Sequence, residues 1–346
     1  MRAAKGRGSY NIQGVQVDSL TYADDLCVLA DDKQSMQQRL SRIYTAAKWA
    51  GLTFNVRKCA TLTLSRSGRQ YAEQFSPKIG DEVVPCLKWG EHYKYLGCKV
   101  GANPKAELGA QGDRYPNDCR LICGTGLADW QKLDALHRFA KPALTFILQN
   151  TLPNKTWAQK IDKEVKKAVK TAFKLPRRTA SASLYAPPHS GGMGMPCIED
   201  EIDIARVTTA FKVLGADEDP VVSTVARGLL EEVARKRTGG LIEMEKFLNS
   251  PPAPGEGRKA DIKSLWSAVR NSLQRFSATI AIQPKTLICG GKVVGWGKRR
   301  DISKLLRAQR HKAYISQLQS SPDQGRTFSC VSAHSASNSF IRSGKC

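Results

Sequence analysis

Leu20-Thr21-Tyr22-Ala23-Asp24-Asp25-Leu26-Cys27-Val28-Leu29-Ala30 sets two carboxylates side by side between strand-forming residues. Each raises the cost of ionising the other. Ile12, Val15 and Val17 before the pair, and Leu26, Val28 and Leu29 after it, alternate as two strands around a turn. Successive residues of a strand face opposite sides, so Asp24 and Asp25 can approach one centre only at that turn. The pair is either a solvated surface turn or a site for divalent cations, whose charge offsets the repulsion.

The chain has 346 residues, enough for about two domains. Hydrophobic residues make up 41%, ordinary for a chain that buries a core. The charge is unusual: 54 Lys+Arg against 31 Asp+Glu leave a net of +23. Such an excess points to a polyanionic partner, nucleic acid before membrane. No run approaches the ~18 apolar residues of a membrane span, and the start, Met1-Arg2-Ala3-Ala4-Lys5-Gly6, lacks the apolar core of a signal peptide. An intracellular protein without membrane contact is expected. Ten cysteines at irregular spacing then read as reduced thiols. Neither Cys119 with Cys123 nor Cys330, His334 and Cys346 has the paired spacing of a zinc site.

After the hairpin, Met36, Leu40, Ile43, Ala47 and Ala50 predict a helix capped by Asp31 or Asp32 and stopped by Gly51. Residues 52–54 and 60–64 read as short strands, and Tyr93 to Val100 as a third strand-rich piece, making a βαβ-type α+β unit of the first hundred residues. From about residue 126 the period becomes helical. Trp130, Leu133, His137, Ala140, Leu144 and Ile147 share a face bent at Pro142. Trp157, Ile161, Val165, Ala168 and Ala172 form the next helix, capped by Asn154 and stopped at Leu175-Pro176, and a third spans Ile198 to Leu214. Residues 251–255 read as a linker, and 251–346 hold 17 Lys+Arg against 4 Asp+Glu.

Nucleotidyl transfer needs closely spaced carboxylates, because two divalent ions ~3.5–4 Å apart serve the attacking and departing oxygens. Tyr22-Ala23-Asp24-Asp25 resembles the Y/F-x-D-D hairpin of reverse transcriptases, their motif C. Gly51-Leu52-Thr53-Phe54-Asn55-Val56-Arg57-Lys58-Cys59 resembles motif D, and Tyr93-Lys94-Tyr95-Leu96-Gly97 resembles motif E. Three motifs in the family's order and approximate spacing are far more specific than one. Ala186-Pro187-Pro188-His189-Ser190-Gly191-Gly192-Met193-Gly194-Met195-Pro196 is similar to a segment after the thumb in non-LTR retrotransposon polyproteins of the R-two type.

The resemblance, over roughly residues 10 to 215, implies a role for each matching position. Asp24 would bind metal, with Asp25 in a lesser metal role, the cofactor being two Mg²⁺ or Mn²⁺ ions. Tyr22 would lie near the primer terminus or incoming nucleotide. Lys58 would protonate or stabilise the departing pyrophosphate, and Tyr95, Leu96 and Gly97 would grip the primer. The substrates would be an RNA template, a DNA primer or target, and dNTPs, and the working place the nucleus. Residues 155–178 carry 9 Lys+Arg and 2 Asp+Glu. Lys160, Lys163, Lys167, Lys170 and Lys174, with Arg177 and Arg178, would track the phosphates of a primer-template duplex as a thumb does.

The expected architecture is α+β. A truncated palm over 1–105 carries motifs C, D and E; a helical thumb and post-thumb segment covers 106–215; a basic linker or tail, partly disordered, covers 216–346. The family's motif A aspartate and Gly-rich motif B precede motif C by much more than the twenty-one residues before Tyr22 here. Asp18 sits on the same hairpin arm and cannot replace motif A. No Cys-Cys-His-Cys knuckle or nuclease is matched in 251–346, where Lys285 and Asp323 stand alone. A polymerase fragment inactive by itself is therefore expected, and a non-catalytic RNA- or DNA-binding relic is the rival reading.

Overall fold

The computed structural model describes residues 8–64, 74–101, 109–150, 153–240, 243–252 and 264–321. The chain divides into two compact units, residues 1–107 with 219–229, and residues 108–218 with 230–346. No described helix is long and apolar enough to cross a membrane.

In the first unit, β1 (Tyr10–Ile12) pairs antiparallel with β2 (Val15–Val17), and β3 (Ser19–Tyr22) with β4 (Asp25–Val28). Residues 10–30 thus hold two hairpins rather than one. Helix α1 (Lys33–Trp49) starts at Asp32, whose carboxylate accepts the Ser35 N–H at 2.8 Å, and ends before Gly51 at φ +72°. Its predicted apolar face is only half-buried. The helix residue that is fully enclosed is Arg39, 1% exposed, which pairs with Asp18 and donates to the Ser9 hydroxyl at 3.2 Å. A charge enters the interior because a carboxylate meets it there.

The strands expected at 52–54 and 60–64 are replaced. Residues 52–55 are irregular, Val56–Lys58 is a 3-10 turn, and Thr61 makes a single parallel bridge to Cys86. Turn bonds from Lys58 N–H to the Asn55 carbonyl and from Cys59 N–H to the Val56 carbonyl take the groups that a strand would offer a partner. No βαβ crossover forms among the described residues. Short hairpins β5 (Lys78–Ile79) with β6 (Glu82–Val83), and β7 (Tyr93–Tyr95) with β8 (Cys98–Val100), complete the unit. The Gln37 amide acts as a surrogate strand, donating to the Lys78 carbonyl at 2.9 Å and accepting its N–H at 2.8 Å. Tyr44 lies over Gly80, where a Cβ would sit 2.8 Å from the ring and φ is +61°. Val56, Ile79 and Val84 form the small core, flanked by Leu40, Tyr44 and Phe54.

The second unit is mainly helical: α2 (Gly109–Gly124), α3 (Asp129–Ala135), a π turn at Leu136–Ala140, α4 (Lys141–Asn150), α5 (Lys155–Ala172), α6 (Ser181–Tyr185) and α7 (Ile198–Leu214). The α5 cap is the predicted one, Asn154 accepting the Trp157 N–H at 2.7 Å. The π turn widens the helix immediately before Pro142. The buried face accordingly runs Leu136, Ala140, Leu144 and Leu148, while Trp130 is 70% exposed. Ile147 lies outside the residues whose side chains are described.

Beyond α8 (Pro220–Thr238) and α9 (Met244–Asn249), where the expectation was a linker or tail, residues 264–321 form α10 (Leu265–Phe276), strands β9 (Ala278–Ala281), β10 (Thr286–Cys289) and β11 (Lys292–Gly295), and α11 (Arg299–Gln319). The three strands make one antiparallel sheet in the order β11-β10-β9. The Asn249 amide closes its β9 edge, exchanging two 2.8 Å bonds with the Ile280 backbone. Leu287 and Cys289 face inward with Val269, Leu273 and Phe276 of α10. Asp323, Cys330, His334 and Cys346 lie outside the described residues.

Candidate functional site

The β3–β4 register pairs Tyr22 with Asp25 and Leu20 with Cys27, leaving Ala23 and Asp24 as a two-residue turn. Ala23 takes the left-handed conformation at φ +51°, a position usually given to glycine. Asp24 therefore sits in the turn and Asp25 opens the returning strand. Both carboxylates are exposed, as is Tyr22. Opposed residues of a hairpin share a face, so Tyr22, Asp25, Leu20 and Cys27 line one side.

The motif E-like segment is itself a hairpin. Tyr95 pairs with Cys98 across a turn of Leu96 at φ +46° and Gly97 at φ +82°, the backbone that suits the twist of a two-residue hairpin. Burial, then the Cys27 thiol and the Asp25 carboxylate, raise the Tyr95 hydroxyl above the usual phenol range. Tyr95 thus stands within electrostatic reach of the β4 residues on the Asp25 face. Two residues earlier on β7, the Tyr93 hydroxyl donates to the Lys58 carbonyl at 2.6 Å. The Lys58 backbone is held while its side chain is exposed. Residues 35 and 70 positions apart along the chain are gathered by β7 into one neighbourhood.

Asp24 and Asp25 offer hard anionic oxygens, the donors that Mg²⁺ and Mn²⁺ take. Among the described residues no group of three or more His, Cys, Asp or Glu side chains is gathered as a metal set. The chemistry of the pair fits part of such a metal site.

On α5, Ala158, Ile161, Val165 and Val169 are buried, and Lys160, Lys163, Lys167 and Lys174 are exposed, as are Arg177 and Arg178 beyond it. Lys170 is placed differently. Its ammonium donates to the Arg177 carbonyl at 3.0 Å and the Thr179 carbonyl at 2.7 Å, closing the loop that leaves the helix. Its charge works on two loop carbonyls that would otherwise turn to water.

Sequence reasoning missed a charged cluster around α7. Asp203, 0% exposed, accepts from Ser272 at 2.6 Å, Arg275 at 2.7 Å and Lys155 at 3.0 Å. Asp200 meets Arg275 at 2.6 Å, Arg310 at 3.1 Å and the Tyr314 hydroxyl at 2.5 Å. Arg307 holds Glu201 with two bonds, at 2.9 and 2.8 Å. Asp162 of α5 accepts the Ile198 N–H at 2.9 Å and the Glu199 N–H at 3.2 Å, capping α7 from a neighbouring helix. The available signal was the acidic triplet Glu199-Asp200-Glu201 in a strongly basic chain. Arg275, Arg307 and Arg310, counted as basic tail, are therefore internal structure.

No family model matches the chain. It is 26% identical over 241 residues, 68% of its length, to the retrovirus-related Pol polyprotein from type-1 retrotransposable element R2 of Nasonia vitripennis. It is 28% identical over 238 residues, again 68% of its length, to that from type-2 retrotransposable element R2DM of Drosophila melanogaster. An uncharacterized protein of Caenorhabditis elegans is 27% identical over 201 residues, 57% of either chain. The matched stretch spans 22% of each of the two polyproteins, so the chain corresponds to a fraction of their length. Across about two thirds of its own length, the chain is a relative of the Pol polyproteins of R2-type retrotransposable elements.

Proposed function

We propose that the chain is a palm-to-thumb portion of an RNA-directed DNA polymerase, the reverse transcriptase of a non-LTR retrotransposon, and that by itself it does not polymerise. The observation that carries this reading is the gathering around β7. The Cys27 thiol and the Asp25 carboxylate act electrostatically on the Tyr95 hydroxyl, and the Tyr93 hydroxyl holds the Lys58 carbonyl.

In this reading Asp24 and Asp25 hold metal together with a carboxylate from a separate strand of the parent polymerase. Two divalent ions, when bound, supply positive charge to the attacking and departing oxygens. Tyr22 offers an exposed aromatic surface beside Asp25 to the primer terminus or the incoming dNTP. The Lys58 ammonium gives its proton to the departing pyrophosphate. Tyr95, Leu96 and Gly97 brace the primer. Lys160, Lys163, Lys167 and Lys174, with Arg177 and Arg178, hold the RNA–DNA duplex through its phosphates. The DNA target places this work in the nucleus.

A second reading, a non-catalytic nucleic-acid-binding protein, is favoured by the two-carboxylate count and the outward lysines of α5. Mn²⁺ binding to the full chain, followed by water-proton relaxation, separates them. The polymerase reading expects weak binding that disappears in the Asp24→Asn, Asp25→Asn variant, and an unchanged signal contradicts it. Salt-dependent RNA or DNA binding that survives this variant and is lost with Lys160→Glu, Lys163→Glu and Lys167→Glu, in a chain that takes no Mn²⁺ at the hairpin, favours the second reading.

A further inference from the structure

The last described helix, α11, carries two cationic stripes with different fates. Ile302, Leu306, Tyr314 and Leu318 are buried, and on that side Arg307 and Arg310 are bound to Glu201 and Asp200 of α7. Away from it, Arg300, Lys304, Ala308 and Lys312 follow at four-residue steps, all exposed. At 1.5 Å per residue the stripe extends about 18 Å, winding slowly because each step of four overshoots a turn by ~40°. Lys304 lies 3.9 Å from Asp301, both exposed, a contact of little energetic weight. Arg300 and Lys312, like Lys292, Lys298 and Arg299, meet no carboxylate among the described residues. Lys312 reaches the β10–β11 turn, its ammonium 3.9 Å from where a Cβ on Gly290 would be, so that Lys292 of the same hairpin extends the cationic surface.

We propose that this outward face of α11, with the β10–β11 turn, is a second phosphate-backbone contact, distinct from α5, that takes duplex nucleic acid without regard to sequence. The inference rests on the nucleic-acid partner proposed above. An 18 Å stripe lies beside about five phosphates of one strand, at ~3.4 Å of axis per charge. A rigid helix suits the regular array of a duplex. A single strand would call for aromatic platforms, whereas the exposed row on the adjoining sheet is Thr279, Ile288 and Val293. An anionic membrane would call for a continuous apolar stripe facing outward beside the cations; α11 buries its apolar stripe, and the sheet adds two exposed apolar side chains, Ile288 and Val293, rather than a stripe.

The test is binding of the full chain to a labelled mixed-sequence RNA–DNA duplex across a salt series, with an Arg300→Glu, Lys304→Glu, Lys312→Glu variant. The log–log salt slope should become shallower by about 2 to 3, at ~0.9 per lost phosphate contact, equally on unrelated sequences. A Gln version should change in the same direction with an unaltered unfolding midpoint, since the three side chains are exposed. An affinity and slope equal to the unsubstituted chain's, while Lys160→Glu, Lys163→Glu, Lys167→Glu abolishes binding, overturns this face and leaves the nucleic-acid reading standing. Binding to anionic vesicles in place of the duplex also overturns it. Failure of the unsubstituted chain to bind any duplex overturns both.

Discussion

The Tyr93 hydroxyl donates to the Lys58 carbonyl at 2.6 Å, tying β7 to the 3-10 turn that presents the Lys58 side chain. Tyr93→Phe keeps the ring and removes the bond, at a cost of about 1 kcal/mol. The local consequence should be faster amide exchange at Lys58 and Cys59, with exchange in α5 unchanged. Unaltered protection at those amides would show that the turn holds itself.

Arg39 is enclosed in the first unit because Asp18 meets it. Removing one partner of such a pair costs roughly 3–5 kcal/mol, and replacing both with apolar residues costs much less. Asp18→Ala should therefore unfold the first unit at lower urea than the Asp18→Leu, Arg39→Met double variant. Additive losses in this cycle would rule out coupling.

Asp203 is the anchor of the α7 cluster. Burial alone would raise its pKa, but the Ser272 hydrogen bond and the Lys155 and Arg275 contacts outweigh burial and hold it below the usual carboxylate range. A carboxyl with a depressed folded pKa adds stability above its unfolded pKa of ~3.9 and loses it as pH falls through the folded value. Asp203→Ala removes a buried carboxylate shared by Lys155, Arg206 and Arg275, of which Arg275 keeps Asp200, and should cost ~3 kcal/mol at neutral pH, against about 1 kcal/mol for Ser272→Ala. Equal calorimetric losses for the two variants would contradict this ranking.

Asp162 behaves oppositely. Burial dominates over its bonds from Ile198, Glu199 and Cys197 and pushes its carboxyl up to about 6. The folded chain then binds this proton more tightly than the unfolded one, so this group's stability contribution is full below pH ~4, declines as pH rises to about 6, and is flat above. The decline amounts to at most ~3 kcal/mol. Asp162→Asn should flatten the unfolding midpoint between pH 4 and 6 relative to the unsubstituted chain; parallel profiles would contradict the assignment.

Local signals gave what local chemistry controls. Asp32 and Gly51 bound α1, Asn154 starts α5, and α7 runs over the predicted Ile198–Leu214. The Tyr22-Ala23-Asp24-Asp25 turn was legible because alternating residues flank it. What escaped depends on partners far along the chain. Arg39 reads as a surface residue until Asp18 is seen beside it, and Arg275, Arg307 and Arg310 read as tail charge until α7 supplies their carboxylates. At the π turn Leu136–Ala140 the buried position is Leu136 rather than His137, which a fixed helical period cannot anticipate, while Ala140 and Leu144 lie inward as the period has them. Lys170 resembles its neighbours in spacing alone; its ammonium turns to the carbonyls of Arg177 and Thr179.

The most direct measurement is primer extension by this chain on an RNA template with dNTPs and Mg²⁺ or Mn²⁺. With two carboxylates at the hairpin and no third gathered beside them among the described residues, the proposed reading predicts no incorporation above background. RNA-templated incorporation that disappears with Asp24→Ala would contradict that claim, because the chain would then hold a complete metal site of its own.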